Sequence, residues 1–244
     1  MMMPRPSHCA LVLLLALSTT ACSREEQRSS TSQNVAKDWS SLRDFTAIDA
    51  TGPDDVSVTI GNAFSIKATG DANAIADLDI GVKGDTLVIG RKGSWSLTRQ
   101  SDKGATITIT MPAITAATLT GSGDLDLDSA TGDTLDLSLT GAGDVKIGKA
   151  TLKSLNADLT GAGSITIAGT ADRAKLSITG VGDIDAEGLK VGSADVSVLG
   201  TGDIDFASDG KVAINLMGPG DVTVKGKAQC TTNGVGPGSA HCGP

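Results

Sequence analysis

The chain has 244 residues, a formal net charge of −8 and a pI of about 4.7. That acidity excludes nucleic acid and anionic lipid surfaces as natural partners, because both are recognised through basic patches. Only 2% of the residues are aromatic, none is tyrosine and 31 are glycine, so a core resting on large aromatic burial is excluded as well.

In chain order, residues 1–21 read as an export signal. A weakly basic leader with Arg5 precedes the apolar run Ala10–Leu17, which is too short to span a bilayer as a mature helix. Ser18-Thr19-Thr20-Ala21 then leads into Cys22. This stretch resembles a bacterial lipobox, in which the cysteine is lipidated and becomes the new N-terminus; Thr19 stands where that motif carries Leu, Val or Ile. An ordinary cleaved secretory signal is the other reading, and lipidation of Cys22 is the expectation adopted. Residues 22–42 are polar and charged, with almost no apolar periodicity, and read as a flexible tether. By likeness to Gram-negative lipoproteins, Ser23 favours sorting to the outer membrane. No later apolar run is long enough for a transmembrane helix.

Residues 43–244 make one all-β domain. From Asp49 to Pro112 the apolar residues alternate in short runs, as in Val56, Val58 and Ile60 or Ile107, Ile109 and Met111, which predicts irregular starting rungs and a cap. Asp71 is placed to cap one helical turn reaching Ala76. A glycine-framed corner then recurs six times: Gly121-Ser122-Gly123-Asp124, Gly141-Ala142-Gly143-Asp144, Gly161-Ala162-Gly163-Ser164, Gly180-Val181-Gly182-Asp183, Gly200-Thr201-Gly202-Asp203 and Gly218-Pro219-Gly220-Asp221. The first glycines lie 18–20 residues apart, the mark of a stacked solenoid.

Two residues before the first glycine stand Leu119, Leu139, Leu159, Ile178, Val198 and Leu216; four after it stand Leu125, Val145, Ile165, Ile184, Ile204 and Val222. The period of two predicts a strand entering each corner and another leaving it, with apolar residues stacked about 4.8 Å apart. Burial of one such side chain contributes roughly 1.5–3 kcal/mol before the entropy cost. Gly236-Pro237-Gly238-Ser239 reads as a degenerate last corner. Cys230 and Cys242 predict a disulfide in an oxidising compartment, fastening the C-terminal end; His241 beside them, without CxxC spacing, is a poor basis for a metal site.

From Phe45 to Cys242 the chain resembles the bacterial family called putative auto-transporter adhesin, head GIN domain. The likeness rests on Phe45-Thr46-Ala47-Ile48, Val56-Ser57-Val58, Leu87-Val88-Ile89, Ile107 to Pro112 and the Thr-Gly-x-Gly-Asp rungs. Cys230 and the closing Gly238-Ser239-Ala240-His241-Cys242 resemble a proteobacterial branch. The resemblance implies a single-stranded, right-handed parallel β-helix on a lipoprotein or secreted chain, and a role in surface interaction. The rung pattern departs at Ser164, and at Leu199 and Met217, where threonine would precede the glycine.

Chemistry is sparse. Asp124, Asp144, Asp183, Asp203 and Asp221 stack into an acidic column interrupted by Ser164. Like charges one rung apart repel, and something must offset that. The favoured reading has each aspartate accepting backbone N–H groups at its corner; the alternative has Ca²⁺ bridging rungs through these oxygens. The paired glycines are read as corner residues rather than a phosphate cradle, since no Lys-Ser/Thr and no helix follow. Carbohydrate-acting β-helix enzymes form another alternative. Their sugar-binding aromatics are nearly missing here, and no recognised nucleophile or metalloenzyme motif is present. A threonine column (Thr120, Thr140, Thr160, Thr179) evokes ice binding, but is short. The expectation is therefore a non-enzymatic, cofactor-free, envelope-anchored solenoid. Its partner would be an envelope protein or an extracellular polymer, met from the outer membrane on its periplasmic or outer face.

Overall fold

Alternating small apolar and polar residues generate nearly every element of this molecule, because each second side chain points to one face of a strand. The computed structural model describes residues 34–92 and 104–243. The expected signal, Cys22 and the first part of the tether lie outside the described residues.

The regular part is a parallel solenoid of β8 (Ala116–Gly121), β9 (Leu125–Leu127), β10 (Ala130–Gly141), β11 (Asp144–Gly161), β12 (Ser164–Gly180) and β13 (Asp183–Gly200). It continues through β14 (Ile204–Ser208), β15 (Lys211–Met217), β16 (Val222–Lys225), β17 (Gln229–Val235) and β18 (Ala240–Gly243). The long strands bend round corners, keeping register through the glycine corner but shifting by one residue between Ile147 and Ala150. In β11, residues 144–147 form one side, 150–152 a second and 154–161 a third, each paired in parallel with β12. The short side is absent from the simple in-and-out strand pattern that the sequence suggested. Where Ala186 faces Phe206, Lys190 already faces Ala207, so residues 187–189 have no counterpart in the next rung, which shortens the spacing of the last rungs.

Columns of buried side chains fill the interior, among them Leu119, Leu139, Leu159, Ile178, Val198 and Leu216. Phe206 stacks between Ala186 and Val224, so the small neighbour makes room for the large ring. At the corner, Gly161 has φ +131°, and a Cβ there would lie 2.1 Å from the carbonyl oxygen of Gly141 one rung away. The second glycine is as tightly held: a Cβ on Gly163 would lie 2.0 Å from the Gly143 carbonyl oxygen. The close approach lets the Ala162 N–H reach the Gly141 carbonyl at 2.8 Å.

The N-terminal end breaks the parallel stack. β2 (Ala47–Gly52) and β3 (Asp55–Ile60) form the first rung, with Gly52 in register with Gly121 and Val56 with Leu125. The chain then leaves the stack to form β4 (Ser65–Asp71), α1 (Ala72–Asp77), β5 (Leu78–Lys83), β6 (Thr86–Arg91) and β7 (Thr106–Met111). β6 and β7 lie parallel beside β2 and β3, whereas β5 and β4 run antiparallel to them. As the sequence predicts, Asp71 caps α1, accepting the Asn73 N–H at 2.9 Å. The outermost strand is β1 (Asn34–Asp38), antiparallel to β4. This corrects the reading of residues 22–42 as tether throughout: Val35 packs partly buried against the core, and the backbone of 34–38 has ladder partners.

At the other end, Cys230 stacks on buried Val212 and Cys242 on buried Val224. The Cys230–Cys242 disulfide, with Cα atoms 6.5 Å apart, thus crosses the interior between two sides and lids the core.

The corner contact yields a direct test. Gly161→Ala is expected to destabilise the fold by at least about 3 kcal/mol, through positive φ and overlap with Gly141. Gly90→Ala, where nothing lies within 4 Å of the added carbon, serves as a near-neutral control. Thermal denaturation followed by circular dichroism separates the two; equal melting temperatures would contradict the close-contact account.

Candidate functional site

The corner that needs two glycines also presents the aspartate column, because the residue after the second glycine begins the next strand pointing outward. All five aspartates expected from the sequence are exposed at this position. They form hydrogen-bonded ladders between rungs. Asp124 Oδ1 accepts the Asp144 N–H at 3.0 Å, and Asp144 Oδ1 accepts the Ser164 N–H at 3.0 Å. Asp183 Oδ1 accepts the Asp203 N–H at 2.9 Å, Asp203 Oδ1 the Asp221 N–H at 2.7 Å, and Asp221 Oδ1 the Ser239 N–H at 2.8 Å.

Each carboxylate therefore serves the following rung rather than its own corner, which revises the sequence reading in detail. The aspartates do have a structural role, since each holds a backbone donor, and these bonds offset the repulsion of stacked charges. Serine ends both runs. The Ser164 and Ser239 hydroxyls donate to Asp144 and Asp221 at 2.7 Å each, alongside their N–H groups. Asp183 then starts afresh, its N–H donating to the Gly163 carbonyl at 3.3 Å.

One member escaped sequence reasoning. Asp55 accepts the Asp124 N–H at 3.1 Å, so Gly52-Pro53-Asp54-Asp55 is the first corner of the series. A separation of 69 residues hides it from a search at fixed period. In that corner Asp54 occupies the place of the second glycine and is buried, at 4% exposure. Arg91 donates to it twice, at 3.0 and 2.7 Å, and the Ala105 N–H donates at 2.7 Å, so the charge is paired and hydrogen-bonded. This is a bolt between the first rung and the N-terminal cap.

Electrostatics follow the same bonds. The Ser239 hydroxyl, then its N–H, hold the Asp221 carboxyl below its ordinary value, with His241 adding a smaller attraction. Among the described residues, no three His, Cys, Asp or Glu side chains converge as a metal-sized group. A shallow, open trough of about 300 Å³ lies on the outer face around Asp136, Asn156, Asp158 and Lys175. Within it the Asn156 amide donates to Asp136 at 2.5 Å.

A second column lies just before the corner. Thr51, Thr120, Thr140, Thr160 and Thr179 stack in register, and the same column continues as Leu199, Met217 and Val235. The sequence marked the change at Leu199 and Met217; Val235 joins them only once the last rung is seen in register.

Comparison with known proteins matches this architecture. A family model described as putative auto-transporter adhesin, head GIN domain, matches residues 44–228. Among solved structures, a putative adhesin from Bacteroides fragilis is 28% identical, with TM-score 0.78, covering 85% of this chain and 97% of its own. A putative lipid binding protein from Parabacteroides distasonis is 21% identical, with TM-score 0.69, covering 86% and 97%. A putative adhesin from the same species is 22% identical, with TM-score 0.67 and the same coverage; at these lower identities the likeness is one of fold. No curated protein matches the chain.

The Asp221 ladder carries a pH dependence whose sign is fixed. A carboxyl depressed in the folded state stabilises the fold above its unfolded pKa, and the contribution is lost as pH falls through the folded value. Acidification through the lowered Asp221 value should remove this contribution to the last rung. Carboxyl-carbon NMR should show Asp221 titrating below 3.8, and Ser239→Ala should move it back towards that value. An unchanged titration in Ser239→Ala would remove the assigned cause.

Proposed function

This chain belongs to the putative auto-transporter adhesin, head GIN domain family, and on that footing we propose that it is a non-enzymatic interaction protein of the cell envelope. It presents a rigid, acidic solenoid face to another envelope protein or to an extracellular polymer. The observation that carries this reading is the outward column before the glycine corner, in unbroken register from Thr51 in β2 to Val235 in β17. Side chains held at fixed spacing on a broad face suit recognition of an extended partner. The names of the solved relatives, putative adhesins among them, support the same direction.

Lipidation at Cys22 and attachment to the outer membrane of a Gram-negative cell, facing the periplasm or the surface, complete the proposal. They are supported by the lipobox-like stretch Ser18-Thr19-Thr20-Ala21-Cys22 and by Ser23 after it. No cofactor is included: the corner aspartates have backbone donors to hold, and Ca²⁺ is not needed to offset their charge.

Photo-crosslinking in cells from Thr140, Lys146 and Asn156 on the outward faces is expected to trap a discrete partner. Fractionation should place the chain with the outer membrane, and Cys22→Ala should release it. Turnover of a polysaccharide, abolished by replacing a single aspartate such as Asp136 or Asp158, would establish a carbohydrate-acting enzyme instead. For the metal question, millimolar Ca²⁺ against chelator should shift the melting temperature by no more than about 1 °C; a larger, saturable rise would reveal a site on the aspartate column.

A further inference from the structure

The column before the corner changes chemistry without any demand from the fold. Threonine fills it in the first five rungs, where it satisfies an outward strand position. The last three rungs carry Leu199, Met217 and Val235, which are 49%, 50% and 80% exposed. Their direct pairing places them about 4.8 Å apart in one row. Val181, 60% exposed, lies at the corner one rung below Leu199. Contiguous exposed apolar residues on a soluble face mark a contact site, whereas scattered ones do not.

The row has neutral flanks and one acidic border. On one side stand Ser197, Asn215 and Asn233; on the other stand Thr201, Pro219 and Pro237. Beyond them the strand side carries Lys175, Asp195, Ala213 and Thr231 in one column, and Asp183, Asp203 and Asp221 of the ladder lie past the corner. An apolar centre, a polar surround and an acidic rim on the corner side together select an occupant with an apolar stripe and a basic border. A second copy would bring the same carboxylates against these, and an anionic membrane would bring phosphates.

We propose that the Leu199–Met217–Val235 row is a docking strip for a short basic amphipathic helix of another protein. The dimensions agree. Helix pitch, about 5.4 Å, nearly matches the rung spacing over three rungs, so residues one turn apart meet successive rungs. Leu199 and Met217 each stand four residues before a ladder aspartate, Asp203 and Asp221, so a helix about 10–12 Å across covers the row with one border towards the ladder. The proposal rests on the interaction reading above and names the partner's chemistry.

The test uses the purified chain and a labelled 18-residue helical peptide with a leucine stripe bordered by lysines. Fluorescence anisotropy is expected to show binding that weakens with salt. The triple variant L199T/M217T/V235T should lose at least about tenfold in affinity. It extends the threonine column already present in five rungs, and unchanged circular dichroism would verify its fold. A peptide with glutamate in place of lysine should not bind.

Equal binding to the triple variant, or equal binding of the glutamate peptide, overturns the proposal. So does a concentration-dependent dimer that the triple variant abolishes, which would make a second copy the occupant. Co-sedimentation with phosphatidylglycerol vesicles that the triple variant abolishes would make it a membrane contact. In cells, a photo-crosslinker at position 217 that stays silent while one at Thr140 traps a partner sinks this strip but leaves the interaction reading standing. Silence from every face sinks both.

Discussion

Everything regular in this solenoid depends on how closely one corner approaches the next. The first glycine of each corner sits against the carbonyl of its predecessor, as Gly161 does against Gly141, at a distance no Cβ can share. Once corners nest that tightly, the strands on either side are locked in register. Leu139 must then lie over Leu119, and Asp144 over Asp124. The hydrophobic columns supply the free energy, but the backbone contact decides which residues share a column.

The aspartate ladder follows from that nesting. A carboxylate beginning one strand meets the N–H beginning the next because the rungs are in register. Stacked negative charge is tolerated because each charge holds a donor. The serines at positions 164 and 239 end the two runs by giving the last carboxylate a second donor. Most of the column's acidity is therefore bound up with the fold, and the residues free of such roles, Leu199, Met217 and Val235, are where recognition is best sought.

The two ends solve one problem with different chemistry. A parallel stack leaves backbone groups and apolar side chains open at each end. At the N-terminal end, antiparallel strands, a capped helical turn and the buried Asp54–Arg91 pair close the stack. At the C-terminal end, the Cys230–Cys242 disulfide lies across the columns ending in Val212 and Val224. Small side chains and a covalent bond replace there the aromatic lid that this composition does not provide.

Sequence alone determined the period, the face of each strand that turns inward, the helical turn after Asp71 and the pairing of the two C-terminal cysteines. These are local matters, carried by alternation, by glycine at fixed spacing and by the count of thiols. Only the tertiary structure decided the rest. The first corner at Gly52 is separated from its neighbour by a long excursion, so no periodicity reveals it. The acceptor of each Asp N–H lies on another rung, and a bond between rungs exists only once register is set in three dimensions. Residues 34–38 look like tether by composition, yet become a strand because β4 offers them an open edge. Val235 looks like an ordinary residue beside a glycine until the last rung stacks it on Met217.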